Sequence, residues 1–440
     1  MKNRTKSSTL KQAISNNPDR NRLVALQRVP CRVNTVKEFC RPGTIETVLF
    51  ILLFSGPPTL RKRDPLASVR GDLDVSAIAN LLVWGLGALW ILHQITACAV
   101  IEKRLPKLHW LQVTTLVFAL FLSISVLLSP APFLSGYRVL QIWIMILWGY
   151  FWVDKYGVER TLKSIFLGIL GLSLLVTVIS LWDPALISTS VGETRGRLVG
   201  FTVANVGVLA VMGLVLLLTI PVIRNRTLYL LCGGLFFYLL LVSRTRSAYA
   251  AIAIFVLFVF FRSPRLRSLR MLRTVVIISS PLMLLFFQPL SQWVIREPES
   301  LYSLSGRTKV WSYLTELVLT RSPLLGLGFN SERLYTIAST SVPHLSSHNA
   351  FISVFYGGGL VSLLTYFILL LGLGHTVFFL SLRLGHSPVI LAVVGLLLVL
   401  AVTGLVSESV VMGETEGFTF YVLISITALL DDFSTSAAPV

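Results

Sequence analysis

The sequence predicts an all-α polytopic membrane protein of about 12 transmembrane helices, interrupted by one long external loop that contains an interfacial helix. Three observations predict it. The 440 residues are 54% hydrophobic and only 13% charged, with a mean hydropathy of +0.78, a composition that excludes a globular protein surrounded by water. The apolar residues are gathered into runs of membrane-spanning length. The basic residues concentrate in alternate connections between those runs, the bias that membrane insertion produces.

Residues 1–43 read as a cytoplasmic tail. Met1 to Pro42 carries ten Lys or Arg against two acids, with no compact apolar core and small-residue cleavage site after it, so the tail is suited to touching anionic lipid. Residues 44–290 hold nine expected spans, at 44–59, 75–101, 108–128, 137–153, 163–182, 204–223, 227–242, 247–261 and 274–290. Residues 291–359 form the long loop, residues 360–430 hold three more spans at 360–382, 388–406 and 416–430, and residues 431–440 form a C-terminal tail.

With the tail inside, the inner connections contain Lys103, Arg104 and Lys107, then Lys155, Arg160 and Lys163, then Arg224 and Arg226, then the arginines from Arg262 to Arg273, then Arg383. The outer connections at 129–136 and 407–415 contain neither Lys nor Arg. Arg61, Lys62, Arg63 and Arg70 go against this order, so either the first span is re-entrant or Asp64, Asp72 and Asp74 offset them. The net charge of +18 therefore reflects topology, and nucleic acid is not an expected partner. Cys31, Cys40, Cys98 and Cys232 have no metal-ligand or disulfide-framework spacing, and no metal or cofactor is expected.

Two outer connections keep arginines despite the bias: Arg195 with Arg197, and Arg244 with Arg246. Guanidinium groups there point to an anion handled on the outer face. In the long loop, Ser305 can cap a helix whose Val310, Trp311, Leu314, Leu317 and Val318 share one face, with Arg307 and Lys309 at its N-terminal end. Such a helix is expected to lie along the membrane surface. Pro323 to Gly328 forms a glycine turn, and His348-Asn349 sits where the chain re-enters the membrane, ahead of the Gly357 to Gly359 break.

The ordered set Gly306-Arg307, Trp311, Ser322 to Gly328, His348-Asn349 and Gly357 to Gly359 resembles the signature of the O-antigen ligase and polymerase superfamily of bacterial membrane glycosyltransferases. Arg197 to Phe201 with Asn205, and Ser243 to Ser247, are similar to that family's two other arginine-bearing positions, although Val203-Ala204-Asn205 keeps only the Asn of an expected Pro and Asn. The resemblance implies transfer of a glycan from an undecaprenyl-diphosphate carrier to a lipid or glycan acceptor, on the periplasmic face of the inner membrane. It implies His348, Arg246 and Arg197 as catalytic residues, and Arg307, Asn349, Arg195, Arg244 and Asn205 as substrate-binding residues. The arginines would stabilise the departing diphosphate, and His348, kept neutral by positive neighbours, would take the acceptor proton.

Two other readings stay open at this level. Asp72 and Asp74, in the first outer connection, are where a metal-dependent lipid-linked glycosyltransferase carries its acidic pair, though Asp74 also suits an N-cap. A transporter or flippase fits the span number and the glycine break, but not charges lying in outer loops. The tryptophans near span ends, such as Trp110, Trp152, Trp182 and Trp293, read as an interfacial belt. His93, His109, His375 and His386 read as packing or interface residues, and Glu408, Glu414 and Glu416 as candidates to hold an arginine or the acceptor.

Overall fold

A computed structural model of the protein describes residues 42–55, 75–101, 107–182, 188–189, 197–198, 206–243, 245–262, 307–332, 334–335, 347–385, 387–407, 409–412 and 414–436. The basic tail, the charged connection that includes Asp72 and Asp74, the expected span at 274–290, Ser305, Trp293 and His386 lie outside these residues.

The helices are α1 (Thr44–Ser55), α2 (Val75–Thr96, continued by a π-helical turn Ala97–Ile101), α3 (Trp110–Ser125) and α4 (Pro132–Trp182). The two-residue strands β1 (Ser188–Thr189) and β2 (Arg197–Leu198) pair antiparallel, and α5 (Val206–Thr219), α6 (Arg226–Ser243) and α7 (Arg246–Arg262) follow. The rest is α8 (Arg307–Arg321), α9 (Ala350–Arg383), α10 (Pro388–Gly404), the short α11 (Ser409–Met412) and α12 (Glu414–Ser436).

Among the described residues, α2 with its π turn, α3 with the turn after it, α4, α6, α9 and α12 are long and apolar enough to cross a membrane; α1, α5, α7 and α10 are shorter apolar helices. Among the described residues the protein is thus an all-α, multi-pass membrane protein apart from a two-stranded ribbon. Several bounds differ from the expected ones. The spans expected at 137–153 and 163–182 are the two helical halves of α4, longer than expected and joined without a loop at Gly157, where φ 76 and ψ 171 leave the helical region. The span expected from 360 follows the break at Gly359 and is preceded by a helical segment from Ala350, and the expected C-terminal tail starts as the last turns of α12.

The first half of α4 is the hub of the core. Trp148 and Trp152 stack on it with centroids 5.8 Å apart, Trp90 of α2 lies 3.9 Å from Trp148, and Phe50 of α1 lies 4.7 Å from Trp152. Trp152 is fully buried, which corrects its expected place in an interfacial belt; Trp182 is 89% exposed and Trp110 44% exposed. Between α4 and α12 the backbones meet closely, since a Cβ on Gly149 would lie 3.2 Å from the Val422 Cα.

The connections sort to two ends of the bundle. At the basic end, Glu46 accepts from Trp90 Nε1 at 3.2 Å and Lys155 Nζ at 2.9 Å, and from the Tyr156 hydroxyl. His109, expected as a packing or interface residue, caps α3 and lies 3.3 Å from Asp431, while Arg383 reaches the same carboxylate at 3.9 Å. At the opposite end, called here the loop end, Thr415 Oγ1 donates to Phe54 O at 3.0 Å, and the Ser129 and Ser135 hydroxyls meet at 2.7 Å. Gly207 lies there against Ser243, Thr245 and Ala248.

The helix expected along the membrane surface packs one of its faces on protein. Val310, Leu314 and Val318 of α8 are fully buried in a small cluster with Leu327 and Tyr356, and Trp311 and Leu317 pack at its edge. The reason is the i, i+4, i+8 spacing of the three aliphatic residues, which forms a stripe narrow enough to be covered by the first turns of α9.

Candidate active site

The loop after α8 is held by a break in α9. At Gly359, φ 65 and ψ −163 interrupt the helix, which frees carbonyls before the break and N–H groups after it. Residues 323–328 satisfy both sets: Leu327 N donates to Tyr356 O at 2.8 Å and Gly328 N to Gly357 O at 3.1 Å, while Leu360 N donates to Pro323 O at 2.9 Å and Val361 N to Leu324 O at 3.3 Å. The glycines are there because the chains touch backbone to backbone. A Cβ on Gly326 would lie 2.5 Å from Gly359 N, and one on Gly359 would lie 2.3 Å from Leu324 O. Gly328, at φ 88, packs on Ser129 of the turn after α3. The loop therefore does bend back to the membrane, by closing this break.

Above this junction three hydrogen bonds gather three separate segments. Arg307 Nη1, at the first residue of α8, donates to Val406 O at 2.9 Å. Asn349 Nδ2 donates to Leu405 O at 2.9 Å, and Trp311 Nε1 donates to Ser347 O at 2.6 Å. The turn after α10 is thus the meeting point of α8 and the start of α9. Asn349 is also the N-cap of α9: its Oδ1 accepts from Phe351 N at 2.9 Å and Ile352 N at 3.1 Å. Between Ser347 and Asn349, both buried, His348 is half-buried and holds φ 47, a left-handed conformation that His tolerates better than most residues.

Arg246 is the half-buried first residue of α7. α7 packs against α10, with Phe255 on Gly395. The structure therefore brings Arg307 and Asn349 together on the Leu405–Val406 turn, with His348 next to Asn349 in the chain, and Arg246 starts a helix that packs against α10. Arg197 lies in β2, opposite Thr189 in the ribbon, and β2 packs against α6. Arg195, Asn205 and Arg244 lie outside the described residues.

Sequence reasoning passed over several polar groups at this end. Glu332 and Asn330 are buried in the loop after Gly328, Asn330 at φ 63, and Ser331 Oγ donates to Leu327 O and Gly328 O. Glu416, one of the expected acidic candidates, is 1% exposed in α12. Arg138, near the start of α4, donates to Gln141 Oε1 at 2.8 Å. A carboxylate four residues after a glycine-rich turn was the available signal for Glu332; its burial is a tertiary property. Among the described residues no cluster of three His, Cys, Asp or Glu is arranged to hold a metal.

Asn349 separates two of its bonds in a testable way. Asn349→Asp keeps the cap acceptor and loses the amide donor to Leu405 O, whereas Asn349→Ala loses both. A lost cap costs about 1 kcal/mol. Asn349→Ala is expected to lower the thermal midpoint more than Asn349→Asp, with both variants weakened in activity because the His348 backbone is released; equal midpoints would remove the capping role.

The fold and these contacts define a multi-pass membrane protein in which Arg307 and the His348-Asn349 pair meet at the turn after α10. Residues 230–367 match the model of a family described as O-antigen ligase, which supports the resemblance to the O-antigen ligase and polymerase superfamily. The match spans Arg244, Arg246, Arg307, His348 and Asn349, and ends before the α9 C-terminus; Arg195, Arg197 and Asn205 precede it. No curated protein sequence matches the chain at a significant level.

Proposed function

We propose that the protein is a glycosyltransferase of the ligase type, moving a glycan from an undecaprenyl-diphosphate carrier to an acceptor hydroxyl on the periplasmic face of the inner membrane. The observation that carries this reading is the convergence of Arg307 and Asn349, the latter next to His348, on one turn, all three residues lying inside the segment that matches the family. The chain then spans the membrane about 12 times, with residues 291–359 as its periplasmic loop and the basic end in the cytoplasm.

In the reaction the acceptor oxygen attacks the anomeric carbon and the bond from that carbon to the diphosphate oxygen breaks. The electron pair leaves with the diphosphate, and the acceptor proton passes to His348. Arg246 and Arg197 stabilise the charge that accumulates on the phosphate oxygens, because guanidinium groups fixed before the reaction need no reorganisation as charge develops. Arg307, tied to Val406, positions the loop against the donor; Arg195, Arg244 and Asn205 complete the donor pocket. Asn349, engaged as a cap, acts by positioning His348. This chemistry asks for no divalent ion.

The broken helix α9 is also a transporter feature. Its freed backbone groups are bonded to residues 323–328, however, where a transport site would leave them facing a cavity. Reconstitution in liposomes with a diphosphate-linked glycan and two acceptors, lipid A core and a second carrier-linked glycan, tests the reading. A lipid A core product is expected, unaffected by chelator and about 10²-fold or more reduced by Arg246→Ala. A carrier-linked polymer as sole product would reassign the protein as a polymerase, and movement of the donor without joining would remove the enzyme reading altogether.

A further inference from the structure

One polar side chain lies where a membrane offers it nothing to bond. After its break, α9 runs from Leu360 to Arg383, about 35 Å of apolar helix, enough to cross the hydrocarbon core. His375 lies about 12 Å inward of Arg383 along that helix, at hydrocarbon depth. It is exposed on the outward face of α9, whereas the inward faces pack on α3, α10 and α12. Among the described residues its only ring or polar contact is with Phe379, at 4.6 Å between ring centroids, so its ring nitrogens have no hydrogen-bond partner within the chain. Ionisable side chains inside a membrane almost always face the bundle interior or a water-filled cavity, and a short imidazole cannot snorkel to the headgroups as Lys or Arg does.

The surroundings of His375 indicate what covers it. Leu371, Gly374, Phe378 and Leu382 share its face at helical spacing, and all four are exposed. Nothing lies within 4 Å of the Cβ position of Gly374, so another helix can approach the backbone of α9 closely beside the imidazole. An uncharged imidazole carries one donor and one acceptor, which makes it complementary to a second imidazole. Two copies of the chain inserted the same way round are related by an axis along the membrane normal. Residues of a helix near that axis meet their own counterparts at equal depth, so such a pair brings His375 to His375.

We propose that the outward face of α9 is a homodimer interface in the membrane, with Gly374 as the point of close approach and a hydrogen bond between the His375 side chains of the two copies at its centre. The interface is independent of the glycan chemistry at the loop end. Full-length protein carrying one fluorophore per chain, reconstituted in liposomes over a series of protein-to-lipid ratios and counted by single-molecule photobleaching, tests it. The wild type is expected to pass from one bleaching step to two as the ratio rises. His375→Leu keeps the apolar surface and removes the bond, and is expected to need about a tenfold higher ratio for the same dimer fraction. His375→Asn, whose amide also both donates and accepts, is expected to stay within about threefold of the wild type, a rescue that a purely lipid-facing position would not show. Gly374→Trp fills the point of approach and is expected to remain monomeric at ratios where the wild type is dimeric. Should Gly374→Trp fail to fold, the two His375 variants still decide the matter. A wild type that stays monomeric at every ratio, or His375→Leu dimerising as the wild type does, overturns the proposal.

Discussion

His348→Ala is expected to lower glycan transfer about 10²- to 10⁴-fold, the usual contribution of a positioned general base, while the protein stays inserted and its thermal midpoint shifts little. The backbone makes a sharper comparison possible. His348 holds φ 47, a region where Asn is also accommodated but β-branched residues are not. His348→Asn therefore keeps the local conformation and removes the imidazole base, so it should be as inactive as the alanine variant. Wild-type transfer by His348→Asn would mean that the position needs a left-handed residue rather than a base. Because Ser347 is bonded by Trp311 and Asn349 by its own cap, neither variant is expected to displace α9.

Gly359→Ala is expected to be the most damaging single change to the fold. Its Cβ would lie 2.3 Å from both the carbonyl carbon and the oxygen of Leu324, and φ 65 is strained for alanine before any clash is counted. The neighbour is backbone, held by the hydrogen bonds from Leu360 and Val361, and has no rotamer by which to retreat. A loss of about 3 kcal/mol or more follows, seen as failure to accumulate in the membrane or as a steep fall in thermal midpoint in detergent. Gly374→Ala is the control, since nothing lies within 4 Å of the Cβ position there. Equal stability of the two variants would mean that the loop does not close the break.

The two results bear on how much was legible beforehand. Apolar run length placed the helices because it measures what a bilayer demands, a property local to each run. Gly157 and Gly359 were harder to interpret, since an apolar run that contains glycine can be one helix, two helices or a broken one. The choice depends on what replaces the missing backbone bonds. The stripe Val310, Leu314, Val318 was visible as a stripe, but its partner, the start of α9 near Tyr356, is chosen by the path of the chain between them. Trp152 was assigned to the interface by its position near a span end, whereas Phe50, Trp90 and Trp148 surround it in the core.

For the candidate site, the order of motifs was enough to name His348, Arg246 and Arg307, because each stands out by residue type against its apolar surroundings. The Leu405–Val406 turn was invisible, since it contributes only carbonyl oxygens and every residue has one. The same holds for Glu332, whose burial follows from the fold of the loop after Gly328. By itself the sequence determined that this is an all-α membrane protein and which polar residues are out of place in it, for both follow from transfer of side chains between water and lipid, residue by residue. Only the tertiary structure decided that a glycine loop closes the break in α9 and that Arg307 and Asn349 meet on one turn. Those contacts join backbone groups far apart in the chain, and no local preference encodes them.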